Sequence, residues 1–434
     1  MVRLTLALGG LAASNILLAF AYQWYVFTQL GTTRETDALF AAMVVPQLVI
    51  AAAAGAMTSV FVPLLVSQDE TTFQRDLWTF FAGSTIGFGA IAMVLAVAAD
   101  VWVPLTVPGF DEEASRLTAY LVRIQLVGMV FLAQAAILRA GYNARRRFLW
   151  TEASVVLAAA VGFGCLAWGL PRAGVTAAAW AFVIKAGLQM LLLLPVLRPF
   201  RVPDWRAPAV GEAWRRLKPV LVGTLYSKLD PFADRFLSSM APAGELSLLH
   251  LAQQIYTAGH QVIAKAVGAP MVTDLATRAG RADWHGFRRL ARRRLWLVVG
   301  FTCVVLAGIL VAGDPVLALL FGHGRIEADQ VGRLRGLLLA LAGLWVGFSA
   351  VKILQARYYA IGDTRTPMRV GIFTLTIGIV LKAVGFYLLG VVGIALATSA
   401  FNLLNAALLY LLQRDPVDDD AGQGAGIRVG AAAS

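Results

Sequence analysis

With 434 residues, of which 59% are hydrophobic and only 14% charged, and with a mean hydropathy of +0.72, the chain is not an ordinary soluble domain, where about half apolar and a quarter charged is usual. A net charge of +12 raises nucleic acid as a partner, but the cations are placed as topology signals and argue against it. The cysteines, Cys165 and Cys303, both fall inside apolar runs, which excludes a disulfide framework and a Cys-x-x-Cys metal or redox pair.

Apolar runs long enough to cross about 30 Å of hydrocarbon as helices recur along the chain, and they lack the alternation of barrel strands. Twelve spans are predicted, at 5–30, 36–66, 77–105, 115–142, 148–170, 173–197, 214–241, 245–276, 291–313, 334–361, 366–390 and 391–412. The first run follows Arg3 without a short apolar core and small-residue cleavage site, so it reads as helix one rather than a cleaved signal. Span four ends in ILRAGYNA, Ile137 to Ala144, and span ten in ILQARYYA, Ile353 to Ala360, with Ile, Leu, Ala, Tyr and Ala at matching places. A fainter echo relates span two to span eight. An internal repeat fixes architecture more firmly than local propensity. The fold class expected is therefore an all-α polytopic membrane protein of two six-helix lobes, 1–212 with its linker and 213–412. An even number of helices separates equivalent spans, which implies a pseudo-two-fold axis along the membrane normal. Residues 413–434, rich in Gly, Ala and Asp, read as a disordered cytoplasmic tail.

Cations collect in alternate loops. Arg145 to Arg147, the Leu197 to Lys218 linker and Arg288 to Arg294 share a side with both termini, whereas the other side holds only Arg34, Arg116, Arg172, Arg325, Arg333 and Arg335. By the positive-inside rule both termini are cytoplasmic. The linker is either a plain connector or a dock for anionic lipid.

Two spans carry polar faces that lipid would reject. In span eight His250, Gln253, Gln254, Thr257, Gln261 and Lys265 recur at three- and four-residue steps. Span seven carries Lys228, Asp230, Asp234 and Arg235 with Pro231 among them, and a proline there kinks a helix. Asp37 opens span two, and Arg123, Lys185, Lys352 and Lys382 are further intramembrane cations. Such residues are functional candidates by default. Two alternatives stand: Lys228 or Arg235 neutralises Asp230 or Asp234 within the bundle, and Lys382 snorkels to an interface. The four histidines lack metal-ligand spacing, and no enzyme constellation or cofactor motif emerges.

The stretches TDALFAAMVVPQLVIAAAAGAMTSVFVPLL, LDPFADRFLSSMAPAGELSLLHLAQQIY and ARYYAIGDTRTPMRVGI resemble the MurJ (MviN) lipid II flippases of the MOP exporter superfamily. The similarity spreads over about residues 1 to 412, and GDTRTP after an aromatic helix end is its most specific part. The resemblance implies two lobes around a central cavity and transfer of a polyprenyl-diphosphate-linked saccharide across the cytoplasmic membrane of a bacterium by alternating access. Asp37 matches the family's acid at the start of span two, and Asp234 with Arg235 matches a recurrent pair. Where family members carry arginines and an acid in span one, this chain has Ile16, Tyr22 and Gln23, and Gln253 and Gln254 replace an Asp and Arg pair. The family usually has two further spans after the twelfth. The substrate-binding set implied is Lys228, Arg235, Gln253, Gln254, Thr257, Gln261 and Lys265, with Lys228 holding the diphosphate; Asp37, Asp230, Asp234 and Pro231 are implied in coupling or gating. The saccharide is of the lipid II, exopolysaccharide or O-unit type. Two other readings stay open: an ion-coupled small-molecule exporter of the same superfamily, and a non-transporting scaffold for envelope-biosynthesis proteins.

Overall fold

A computed structural model describes residues 2–56, 60–66, 68–263, 269–281, 283–321, 325 and 328–413. Among these residues the chain is helical and has no strand. Helix α1 is Val2–Leu30, α2 Arg34–Ala42, α3 Val44–Ala56, α4 Val62–Val66, α5 Glu70–Val97, α6 Ala99–Thr106, α7 Glu112–Ala144 and α8 Phe148–Leu193. The second half supplies α9 (Pro208–Ser227), α10 (Leu229–Ser239), α11 (Glu245–Ile263), α12 (Ala269–Gly280), α13 (Trp284–Phe321), α14 (Ala328–Ala340), α15 (Ala342–Ala360), α16 (Arg365–Leu389) and α17 (Val391–Leu411).

These helices make the spans read from the sequence, several of them in pieces. Eight stretches are long and apolar enough to cross a membrane by length and composition alone. One of them, Phe148–Leu197, has 50 residues, or roughly 75 Å of helix at 1.5 Å per residue, more than twice a bilayer core. It is a hairpin: Gly174 has φ 53° and ψ −138°, and Trp150 Nε1 on the first arm donates to Leu192 O on the second at 3.0 Å. Among the described residues span two is interrupted at Met43, between α2 and α3, and span seven at Lys228, between α9 and α10.

Loop residues set where helices start. Thr33 and Thr36 form a reciprocal capping box at α2. Asp69 accepts from Thr71 N and Thr72 N before α5, and Asp111 from Ala114 N before α7. Asp283 accepts from Gly286 N before α13 and from Arg278, which together hold its carboxyl below the usual carboxylate range.

The repeated motif ends both of its helices in the same way. After α15 Gly362 has φ 81°, Gly362 N donates to Tyr359 O at 3.1 Å and Asp363 N to Tyr358 O at 3.0 Å, a Schellman closure. Asp363 Oδ1 then accepts from Arg365 N and Thr366 N to cap α16. GDTRTP is thus the end of one helix and the cap of the next. After α7 the same bonds run from Arg146 N to Asn143 O and from Arg147 N to Tyr142 O, both at 3.0 Å. There the left-handed position is Arg146, with φ 57°.

Contacts separate two compact units. Unit one comprises Met1–Ala258, Ala312–Leu338 and Leu381–Ala395. Within it α7 packs along α8, α5, α2 and α3, over a core that includes Phe73, Leu77, Ile137, Leu138, Tyr142 and Leu193. Unit two comprises Gly259–Val311, Leu339–Val380 and Leu396–Ser434. Met271, Leu275, Phe287, Ile353 and Ala356 form one of its clusters, and Val351, Leu354, Tyr358, Val370 and Leu409 another.

Candidate functional site

Two helix breaks position the site, and both lie three residues before a proline. Pro231 would clash with the carbonyl of the residue four before it, Ser227, and Pro46 with that of Ala42. The helices stop at those residues: α9 at Ser227 and α2 at Ala42. The chain resumes as α10 after Lys228, with φ −93° and ψ −1°, and as α3 after Met43.

Both breaks open on one cavity of about 70 Å³ within unit one, lined by Phe40, Met43, Val44, Gln47, Leu48, Lys228, Pro231, Arg235 and His250. Among the described residues its charged groups are Lys228 and Arg235, with no carboxylate in the lining. Arg235 is 7% exposed. One of its terminal nitrogens, Nη2, meets His250 Nδ1, whereas Nε, Nη1 and the far ring nitrogen of His250 have no hydrogen-bond partner among the described residues. The His250 ring leans on Phe40, centroids 4.3 Å apart. Buried N–H donors left unmatched cost roughly 1–3 kcal/mol each, more when charged. This set is therefore complementary to an anion with several acceptor oxygens, and a phosphoryl group suits guanidinium and ammonium donors.

Beside the cavity is an ionic cluster. Lys382 is fully buried, and its Nζ lies 2.5 Å from Asp230 Oδ1 and 2.7 Å from Asp234 Oδ1. Gln253 Nε2 donates to Asp234 Oδ2 at 2.7 Å. The cation that neutralises the span-seven acids is thus Lys382 of α16, not Lys228 or Arg235, and Lys382 does not snorkel to an interface. Its partners are more than a hundred residues away in sequence, so the only sequence signal was a lysine inside an apolar run.

Asp37 does not line the cavity. It is 1% exposed and caps the first turn of α11, accepting from Gly244 N at 2.7 Å and Ser247 N at 2.8 Å. Gly244 has φ 89°, and a Cβ there would meet Thr32 O. Neighbouring bonds tie the same region: Trp24 Nε1 to Leu320 O at 2.5 Å, Arg325 N to Thr28 O at 3.0 Å, and Arg333 to Glu245 at 2.9 Å. The pairing of Lys228 with Asp37, the alternative to an anion role, is not made.

The other candidates disperse. Gln254 is half-buried, and Thr257 is exposed with its hydroxyl donating to Gln253 O at 2.8 Å. The side chain of Gln261 and all of Lys265 lie outside the described residues. Tyr22, standing where the resemblance calls for arginine, donates to Ala178 O at 2.7 Å and so ties α1 to α8. Among the described residues no cluster suited to a metal ion is present.

Comparison with known proteins bears on what the cavity serves. A family described as lipid II flippase MurJ matches residues 26–429. The lipid II flippase MurJ of Burkholderia cenocepacia is 23% identical over 429 residues, which cover 94% of this chain and 83% of that protein. The probable lipid II flippase MurJ of Vibrio cholerae is 29% identical over 229 residues, covering 53% of this chain and 42% of that relative. Among solved structures, a lipid II flippase MurJ in an inward closed conformation superposes with a TM-score of 0.82 at 18% identity, covering 95% of this chain and 88% of that one. An inward-facing multidrug resistance MATE family transporter of the MOP superfamily gives 0.75 at 18% identity, covering 95% and 96%. At such identities these structural likenesses speak for the fold alone.

Proposed function

The chain belongs to the lipid II flippase MurJ family, and from that premise we propose that it carries a polyprenyl-diphosphate-linked saccharide, lipid II in the first instance, from the cytoplasmic to the outer leaflet of the bacterial inner membrane. It is a multi-pass transporter and not an enzyme. Exopolysaccharide or O-unit precursors present the same diphosphate and would meet the same cations. The six-helix lobes, 1–212 and 213–412, are the parts that alternate access, with both termini cytoplasmic.

The observation that carries this reading is the cavity between the two broken helices, where, among the described residues, Lys228 and the unpartnered donors of Arg235 converge and no carboxylate lines the wall. Discontinuous helices near the bilayer midplane are a recurrent way for transporters to present charge to a substrate. Lys228 sits in the break itself, so rotation about that residue would carry its ammonium with the diphosphate. Arg235 is anchored through His250 and supplies fixed donors. Asp37 supports the alternating part of the reading. It fastens the start of α2 to the start of α11, at helix ends that the charge bias assigns to the outside. Releasing that clasp is the step that lets substrate leave outward.

Binding tests the site. In nanodiscs, Lys228→Ala should weaken undecaprenyl diphosphate binding by about tenfold or more, the loss of one charge-assisted contact, and Lys228→Arg should retain most of it. Equal affinity for Lys228→Ala and the parent protein would remove Lys228 from the diphosphate site.

A further inference from the structure

A second cationic cavity lies in unit two and plays no part in the reading above. It has a volume of about 330 Å³, and its rim carries Arg288 and Arg292 of α13, Arg357 of α15, and Tyr410 and Gln413 at the end of α17. Arg288 and Arg292 are one helical turn apart and share a face. Arg357 reaches in from the neighbouring helix, held by Gln413 and lying over the Phe287 ring at 5.9 Å. The floor is apolar: Ile353 and Leu354 are each 4% exposed and Ala291 is 8% exposed. Among the described residues no carboxylate lines the space. Asp274 pairs with Arg294 and Asp283 with Arg278.

We propose that this cavity holds the phosphate of an anionic phospholipid. Depth along the helices argues for a lipid rather than a free anion. On α13 the arginine run ends at Arg294, and Trp296 and Leu297, just beyond Leu295, are 64% and 61% exposed, while on α17 Tyr410 and Leu411 are 55% and 75% exposed. The arginines thus lie at headgroup level, where α13 passes from charge to apolar surface, and an acyl chain leaving the cavity meets a lipophilic flank. Two guanidiniums from one helix and one from another can grip the phosphate oxygens in a fork that lysine could not provide. A volume of about 330 Å³ lies within the usual range for small-molecule sites, roughly 300–1,000 Å³. The bound headgroup would tie the ends of α13, α15 and α17 together.

The test uses the full chain in nanodiscs made from phosphatidylcholine with a minor share of photoactivatable phosphatidylglycerol. Crosslinks in the parent protein should map to residues 288–295 and 353–357. Arg292→Gln with Arg357→Gln should cut phosphatidylglycerol retention by about fivefold or more, since each basic residue near the surface is worth about a factor of five. Arg289→Gln with Arg293→Gln, which removes equal charge from residues outside the cavity lining, should leave retention nearly unchanged. Crosslinks elsewhere, equal losses for the two double variants, or displacement of the lipid by millimolar inorganic phosphate would overturn the proposal. The crosslink map is read on unmutated protein, so it decides the matter even if a variant misfolds.

Discussion

At single residues the chain departs from apolar packing at buried polar groups, and two of these departures have partners that explain them. Lys382 is the costliest. A buried lysine between Asp230 and Asp234 is tolerable because its attraction to both carboxylates offsets desolvation. Lys382→Met should therefore lower stability by about 3–5 kcal/mol, read as a fall in the unfolding midpoint in detergent. Adding Asp230→Asn and Asp234→Asn should recover most of it, because the uncompensated charge is then gone. A single variant as stable as the parent would show that the cluster is not a structural pair. Arg146 makes the opposite case, since it occupies the left-handed position that Gly362 fills in the second half. Left-handed backbone costs a residue with a Cβ about 1–2 kcal/mol, so Arg146→Gly should raise stability by up to about 1 kcal/mol once glycine's greater unfolded freedom is counted. The repeat of Ile, Leu, Ala, Tyr and Ala was legible in the sequence because it lies in continuous helix. The substitution of arginine for glycine hid how far the likeness runs, since backbone closure carries it and side-chain identity does not.

Helices were legible as apolar runs, but their interruptions were legible only in part. Pro231 announced a kink in span seven, yet the break falls at Lys228, because the ring excludes the carbonyl four residues earlier and not its own position. Pro46 does the same at Met43, and from the sequence it passed as one more residue of an apolar span. What no local pattern could reveal is that the two breaks face one cavity, which is a property of packing. Pro231→Ala removes the steric reason for the break and restores the missing N–H. It should leave folded protein at normal abundance, slow transport several-fold and alter substrate affinity little, as measured by turnover and binding on the same preparation. Parent-like turnover would show that the break is not a moving part.

On the scale of the whole molecule, the hydrophobic pattern and charge bias gave twelve spans and an orientation, while long-range polar contacts stayed invisible. Asp37 stood out as an acid at the start of a span, but its acceptors' partners are backbone N–H groups of Gly244 and Ser247, which carry no side-chain signature. Orientation is checked by labelling: single cysteines placed in the Phe110 to Glu113 loop should react with an impermeant maleimide from outside intact cells, and reaction only after lysis would reverse the topology. The clasp is checked in the same way. Ser247, 0% exposed, replaced by cysteine should be protected in the parent background and labelled from outside in Asp37→Ala, where two charge-assisted bonds of about 1.5–3 kcal/mol each are lost. Equal protection in both backgrounds would mean that Asp37 does not hold the outer end closed.

The claim on which these others depend is that a cationic cavity between broken helices carries the diphosphate of a lipid-linked saccharide. Transport of lipid II by purified protein in proteoliposomes tests it most directly, with the amount of folded protein measured alongside. Lys228→Ala should abolish transfer at normal folded abundance, and Lys228→Arg should restore part of it. Transfer by Lys228→Ala at the parent rate would contradict the account.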